Sequence, residues 1–426
     1  MLPDPAMAPC ATCGRFAQVD VLAETAWLPS EVIERVSPES CPACWQLALA
    51  DWLRDRAEAV GAAGLAPFRE DGRLIPYGVI PTPLLLGADP KATGRGLTLA
   101  MIDSGFFPHP DLTESGRNRI RAWADASAPR IRHRFFTSTD LPRWPGWNRR
   151  VPSQWHGMMT AAAAVGTGAN SHGWYRGFAP EADLVFVQTW DANGRITNKS
   201  IVRALRWLLS HRDRLNLHVV NLSVGGDPVR RLAGNYVDAA IDDLVAVGIT
   251  VVVAAGNKGQ RRLQPPASAP AAITVGGLDT QNSPDPSAWT LWHGNWGRAS
   301  DGSPKPDLIA PAVWVAAPVL PGTKTAIEAE ELFRRRGEDD PEIEQRIVAQ
   351  KLLTPRYQHV DGTSFAAALV AGVVAGMIQV NPKLTPARVK QILMETAMPL
   401  AGVPAARQGS GVLRPALAVE RTIVTE

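Results

Sequence analysis

The stretch His359-Val360-Asp361-Gly362-Thr363-Ser364-Phe365-Ala366-Ala367-Ala368 carries a polar, glycine-bearing turn straight into an apolar segment. From Phe365 to Val380 the sequence holds apolar residues and Gly with one late Gln, so it is apolar on every side rather than along one stripe. A helix of that kind is buried. A serine in its first turn lies where unpaired backbone N–H groups and the positive end of the helix dipole favour developing negative charge. Ser364 is therefore a candidate nucleophile, and Gly362 lets a substrate come close to the backbone. In isolation the same Gly-Thr-Ser reads first as a helix cap, so the rest of the chain must separate the two readings.

Working outward, apolar runs at Leu97 to Ile102, Ala182 to Gln188, Leu217 to Leu222, Ile249 to Ala254 and Ala272 to Val275 read as strands. Helical stretches at Met158 to Val165, Asn198 to Leu209, Asn235 to Val247, Phe365 to Val380 and Pro386 to Glu395 fall between or after them. Continuous apolar strands separated by helices imply an α/β fold with a largely parallel sheet covered on both faces. In such sheets chemistry collects beyond the carboxyl ends of the strands. Asp103-Ser-Gly105, Ser223-Val-Gly-Gly226 and Ala255-Gly-Asn257 stand at those ends.

A serine hydroxyl needs a base, and the base needs an acidic partner that holds its tautomer. Among eight histidines, His156 is followed by Gly157 and a small-residue helix that packs closely and fixes the imidazole at a helix start. Asp103 ends a buried strand, where a carboxylate is costly unless paired, and His156 can be its partner. Asn257 can present an amide to an oxyanion, although Gly-Asn-Lys-Gly alone reads as a turn.

With these residues assembled, the chain resembles the subtilisin-like (subtilase) serine proteases from about Leu97 to Ala397. Ala100-Met-Ile-Asp-Ser-Gly105, continued by Pro108-His-Pro-Asp-Leu112, is similar to the aspartate block, and His156-Gly157 with its helix to the histidine block, which Gly177-Phe-Ala-Pro180 follows. Asn221-Leu-Ser-Val-Gly-Gly226 resembles the substrate strand, Val253-Ala-Ala-Gly-Asn257 the oxyanion block, and Lys305-Pro-Asp-Leu-Ile-Ala-Pro311 the strand before the serine. Gly362-Thr-Ser-Phe-Ala-Ala367 resembles the serine block, and Thr385-Pro-Ala-Arg-Val-Lys-Gln-Ile-Leu393 the closing helix.

The resemblance implies a subtilisin-like three-layer fold and a serine endopeptidase working through an acyl-enzyme. It makes Ser364 the nucleophile, His156 the general base and then acid, Asp103 the orienting carboxylate, and Asn257 with the Ser364 N–H the oxyanion hole. Ser223, Val224 and Gly225 would pair with an extended peptide, and Ala254, Ala255 and Gly256 would line the pocket before the scissile bond. Met158 and Met159 stand where the family has Thr-His, and Ala368 and Leu369 where it has Pro-His. The expected consequences are a lost polar contact near the histidine and altered geometry or specificity. The alternative is a catalytically silent peptide-binding or scaffold protein on the same fold.

At 426 residues, 45% hydrophobic and 20% charged, the chain is long enough for one large domain with appendages. Its formal charge of +3 does not argue for a nucleic-acid partner. With no secretory signal or membrane span read from the sequence, the expected location is cytoplasmic. Residues 1–60 read as a module carrying Cys10, Cys13, Cys41 and Cys44; two such knuckles can complete a tetrahedral structural zinc site, with disulfides or redox pairs as the alternatives. Residues 61–96 read as a linker docking on a peptidase domain at 97–426, which has a charged insertion at about 318–358, helical from Thr325 to Lys351. The expected partners are a peptide or protein substrate and a protein bound by the N-terminal module. No calcium ligand cluster is assigned.

Overall fold

Side-chain alternation along the central strands sets the layering. A computed structural model describes residues 79–423 apart from 114–116, 141–153, 172, 192, 230, 233, 284 and 337–339. It also describes two hairpins, Met7–Pro9 with Phe16–Gln18 and Arg69–Glu70 with Arg73–Leu74. The large sheet has nine strands, of which eight form a continuous order. In chain order these are β1 (Thr98–Asp103), β2 (Ile120–Asp125), β3 (Arg132–Phe135), β4 (Asp183–Gln188), β5 (Leu217–Leu222), β6 (Thr250–Ala254), β7 (Ile273–Asp279), β8 (Thr290–Leu291) and β9 (Leu308–Pro311). Their order is β8-β7-β6-β5-β1-β4-β2-β3, with β9 also on β7. The pairs from β7 across to β2 are parallel, and only β8 and β3 run antiparallel to their neighbours.

Leu99 and Met101 of β1 enter one apolar layer and Ala100 and Ile102 the other; Leu184 and Phe186 of β4 divide from Val185 and Val187 in the same way. One layer is covered by α1 (Gln154–Val165) and the other by α2 (Asn198–Leu215) and α3 (Tyr236–Ala246). This is the three-layer α/β fold that the apolar runs imply.

β2 and β3 lie between β1 and α1, in a stretch where no apolar run announces a strand. Arg121 interrupts the apolar run of β2, and its charge is matched across the sheet by Asp183, with Nε 2.7 Å from Oδ2. Arg119, fully buried just before β2, donates to the carbonyl of Val165, the last residue of α1, at 3.0 Å. Two arginines thus hide a strand from a hydropathy pattern while anchoring it.

The charged insertion follows β9. β10 (Val315–Pro318) leads to two helices, α4 (Lys324–Arg335) and α5 (Pro341–Ala349), and the chain returns through β11 (Leu352–Thr354) and β12 (Tyr357–Val360). These strands form a separate antiparallel sheet in the order β10-β12-β11. Val319, Ala329, Leu332, Ile343, Ile347 and Leu352 give the insertion its own small core. Then comes α6 (Thr363–Val380), whose residues from Thr363 to Ile378 are all buried. Its mean hydropathy of 1.8 over 18 residues is enough to cross a membrane by composition, but 83% of the window is buried inside the protein. It is the core helix that the opening turn predicts.

Candidate active site

Asp103 is the last residue of β1 and 1% exposed. Its Oδ1 accepts from the Ser104 N–H at 2.6 Å and lies 2.7 Å from His156 Nδ1. Its Oδ2 accepts from Thr160 Oγ1 at 3.0 Å. Bonds of this kind fix the direction of a buried carboxylate. His156 lies in the first turn of α1, and the glycine after it is required by packing: a Cβ on Gly157 would lie 2.2 Å from the Gly105 carbonyl oxygen. The helix start can therefore sit directly on the turn that follows Asp103.

Burial alone would lower the His156 pKa, but the charge of Asp103 and its hydrogen bond outweigh that, and the imidazole ends above its usual value. The carboxylate is thus placed to stabilise an imidazolium. The imidazole lies 5.8 Å, between ring centroids, from Phe365, the residue after Ser364. In this state the Ser364 hydroxyl donates to the Ser223 carbonyl at 3.5 Å, and no hydrogen bond joins it to His156 among the described residues. Such catalytic contacts are often long without substrate and tighten in the complex.

Asn257 stands just beyond β6. Its Oδ1 accepts from the Thr363 N–H at 3.0 Å and from Thr363 Oγ1 at 2.7 Å, while Thr363 Oγ1 itself accepts from the Gly256 N–H at 3.0 Å. With Oδ1 occupied by two donors, the amide orientation is fixed and Nδ2 is the end left to donate. Gly362, with φ of 140°, adopts a backbone conformation that side chains disfavour; a Cβ there would meet Asn257 Nδ2 at 3.4 Å. The Ser364 N–H lies in the first turn of α6, where helical pairing leaves donors free.

Ser223 Oγ donates to the Ser364 carbonyl at 2.8 Å and accepts from Asn221 Nδ2 at 2.9 Å, which ties the segment after β5 to the nucleophile. A Cβ on Gly225 would meet nothing within 4 Å, so this backbone is open to a peptide. Val224 and Ala255 are buried, and Ala254 and Gly256 are partly exposed at the edge of the site. Ser364, His156, Asp103 and Asn257 are thus brought together. Cys10, Cys13, Cys41 and Cys44 lie outside the described residues.

Over residues 94–415 the sequence matches the model of the subtilase family, peptidase family S8. The chain belongs to the subtilase family. It is 29% identical over 309 residues to serine protease AprX of Bacillus subtilis, a match covering 71% of this chain and 61% of AprX. It is 26% identical to subtilisin BL of Lederbergia lenta, covering 76% of this chain and 92% of that enzyme. In fold it is similar to a protease of Pseudoalteromonas arctica, with a TM-score of 0.55 at 20% identity over 80% of this chain and 94% of the other. Fervidolysin of Fervidobacterium pennivorans gives a TM-score of 0.56 at 21% identity over 83% of this chain and 48% of the other.

Three further residues lie beside these groups. Thr160 sits one helical turn after His156 and bonds Asp103, so a polar contact near the histidine is present despite Met158 and Met159; i to i+4 spacing was its signal. Thr363 reads as a cap but orients Asn257. Trp155 is 43% exposed, with its ring at 83° to the imidazole and 5.3 Å away.

Proposed function

We propose that this subtilase is a serine endopeptidase acting through Ser364, His156 and Asp103. Ser364 Oγ attacks the scissile carbonyl carbon while His156 Nε2 takes the hydroxyl proton, and the same imidazole then protonates the departing amine. Asp103 holds Nδ1–H and stabilises the imidazolium. Asn257 Nδ2 and the Ser364 N–H receive the oxyanion. Water repeats the cycle on the acyl-enzyme. The open backbone at Ser223 to Gly225 takes an extended peptide as an added strand.

The observation that carries this reading is the buried, four-times-bonded Asp103 held 2.7 Å from an imidazole beside Phe365. A fluorophosphonate probe is expected to label Ser364 and to leave Ser364→Ala unlabelled. Folded wild type that stays unlabelled would overturn the reading in favour of a silent peptide-binding protein.

We further propose that Cys10, Cys13, Cys41 and Cys44 hold a structural zinc ion and that this module engages a protein partner. Their spacing supports this, as does the pairing of Met7–Pro9 with Phe16–Gln18, which brackets the first cysteine pair in the chain. Cysteines kept out of disulfides for metal ligation also suit a reducing, cytoplasmic setting. The expected result is zinc in purified protein that is lost from Cys41→Ser; wild type without zinc would overturn the metal assignment.

A further inference from the structure

We propose that Lys351, supplied by the insertion, is a positioning residue for catalysis: by pairing with Asp361 it removes a negative charge from the approach to the oxyanion hole. This rests on the assignment of Ser364, His156 and Asn257 given above.

Asp361 immediately precedes Gly362, the N-cap of α6, and Gly362 lies against the Asn257 amide. Three trans peptide units separate Asp361 from Ser364, so their Cα atoms are at most about 11 Å apart. A bare carboxylate there would oppose the negative charge that acyl transfer builds. At roughly 10 Å, and with an effective dielectric of about 25 to 50 for a carboxylate that is 33% exposed, such repulsion changes a rate on the order of threefold to tenfold.

Lys351 is held in place to meet this charge. It sits in the turn between α5 and β11 with a left-handed φ of 58°, and its carbonyl accepts the His359 N–H at 2.9 Å. Its Nζ donates to Asp361 Oδ2. His359, on β12, stacks on Trp314 with ring centroids 4.7 Å apart. Burial, with Lys351 adding to it and Asp361 opposing, lowers the His359 pKa to about 4, so this imidazole is neutral at working pH. Among the described residues, Lys351 is the cation paired with Asp361. The insertion therefore does more than stand beside the site: the turn after its last helix delivers the countercharge for the turn before Ser364.

The test is steady-state kinetics of the full chain on a short chromogenic peptide at low ionic strength, with fluorophosphonate labelling to count intact sites. Lys351→Met is expected to lower kcat threefold to tenfold with KM changed less than twofold, and the loss should shrink in 1 M salt as charge is screened. Lys351→Arg keeps kcat within twofold of wild type. The double variant Lys351→Met, Asp361→Asn regains it, because no charge remains to be neutralised. Wild-type kcat in Lys351→Met, or a double variant as slow as the single one, overturns the proposal. Wild type that neither turns over nor labels overturns the serine-protease reading, and this inference with it.

Discussion

The carboxyl end of the parallel sheet and the insertion between β9 and α6 both reach Ser364, but different physics holds them. At the sheet end, Asp103, Thr160, Ser223 and Thr363 are buried and hydrogen-bonded to one another's elements. In the insertion, Arg334 with Glu331, Arg336 with Glu344 and Arg346 with Glu328 are partly or largely exposed pairs. Its buried polar tether is the Tyr357 hydroxyl, which donates to Asp111 Oδ2 at 2.6 Å. Burial and then the Asp111 charge and hydrogen bond raise the Tyr357 pKa well above its usual value, so the phenol remains a donor. Buried charged networks fix geometry, whereas exposed pairs contribute little. The sheet end is thus fixed by buried hydrogen bonds, whereas these ion pairs of the insertion face solvent.

Breaking the sheet end should cost most. Ser364→Ala is expected to lower kcat about 10⁶-fold, a figure taken from a subtilisin, without loss of fold by circular dichroism; residual hydrolysis near wild type would place the nucleophile elsewhere. Asp103→Asn should lower kcat about 10⁴-fold, by analogy with a serine protease of another fold. The base must be neutral to act, so activity rises as pH passes upward through the His156 pKa, which Asp103 holds above its usual value. Removing that charge should move the acid limb of kcat/KM to lower pH; an unmoved limb would mean that Asp103 does not face the base in the free enzyme. Asn257→Ala should cost about 10²- to 10³-fold in kcat, again a value from a subtilisin, and a loss confined to KM would remove it from the oxyanion hole.

The insertion should show smaller effects of another kind. Tyr357→Phe leaves the buried Asp111 Oδ2 short of a donor and is expected to lower unfolding free energy in urea by about 1 to 3 kcal/mol. Its effect on kcat should stay well below that of Asn257→Ala, and a larger one would mean that the insertion belongs to the rigid site. Glu328→Gln, at a partly exposed ion pair, should leave the melting temperature unchanged; a clear drop would show that the pair is structural.

Much of this was legible in the chain. The stretches Leu97 to Ile102 and Leu217 to Leu222 announce strands because both faces of a parallel sheet are dry, and the observed strands Thr98–Asp103 and Leu217–Leu222 match them closely. Ser364, His156, Asp103 and Asn257 stand out as candidates because each ends, follows or opens a regular element at the end of the sheet and falls in a block that resembles the family's. Strand β2 was hidden by Arg121, whose partner Asp183 is distant in sequence. Strands β10 and β12 were hidden because they pair with each other across two charged helices rather than by any local alternation. Thr160 and Thr363 looked like helix residues until their acceptors arrived from other elements.

The sequence by itself determined the parallel core, the buried helix behind Ser364 and the residue types that stand at the strand ends, because apolar periodicity and helix-terminal chemistry are local. Tertiary structure decided which donor fixes which acceptor: Thr363 on Asn257, Thr160 on Asp103, Tyr357 on Asp111 and Lys351 on Asp361. Hydrogen bonds and ion pairs act over a few ångströms of space, whatever their separation along the chain, so only the folded arrangement could bring these partners together.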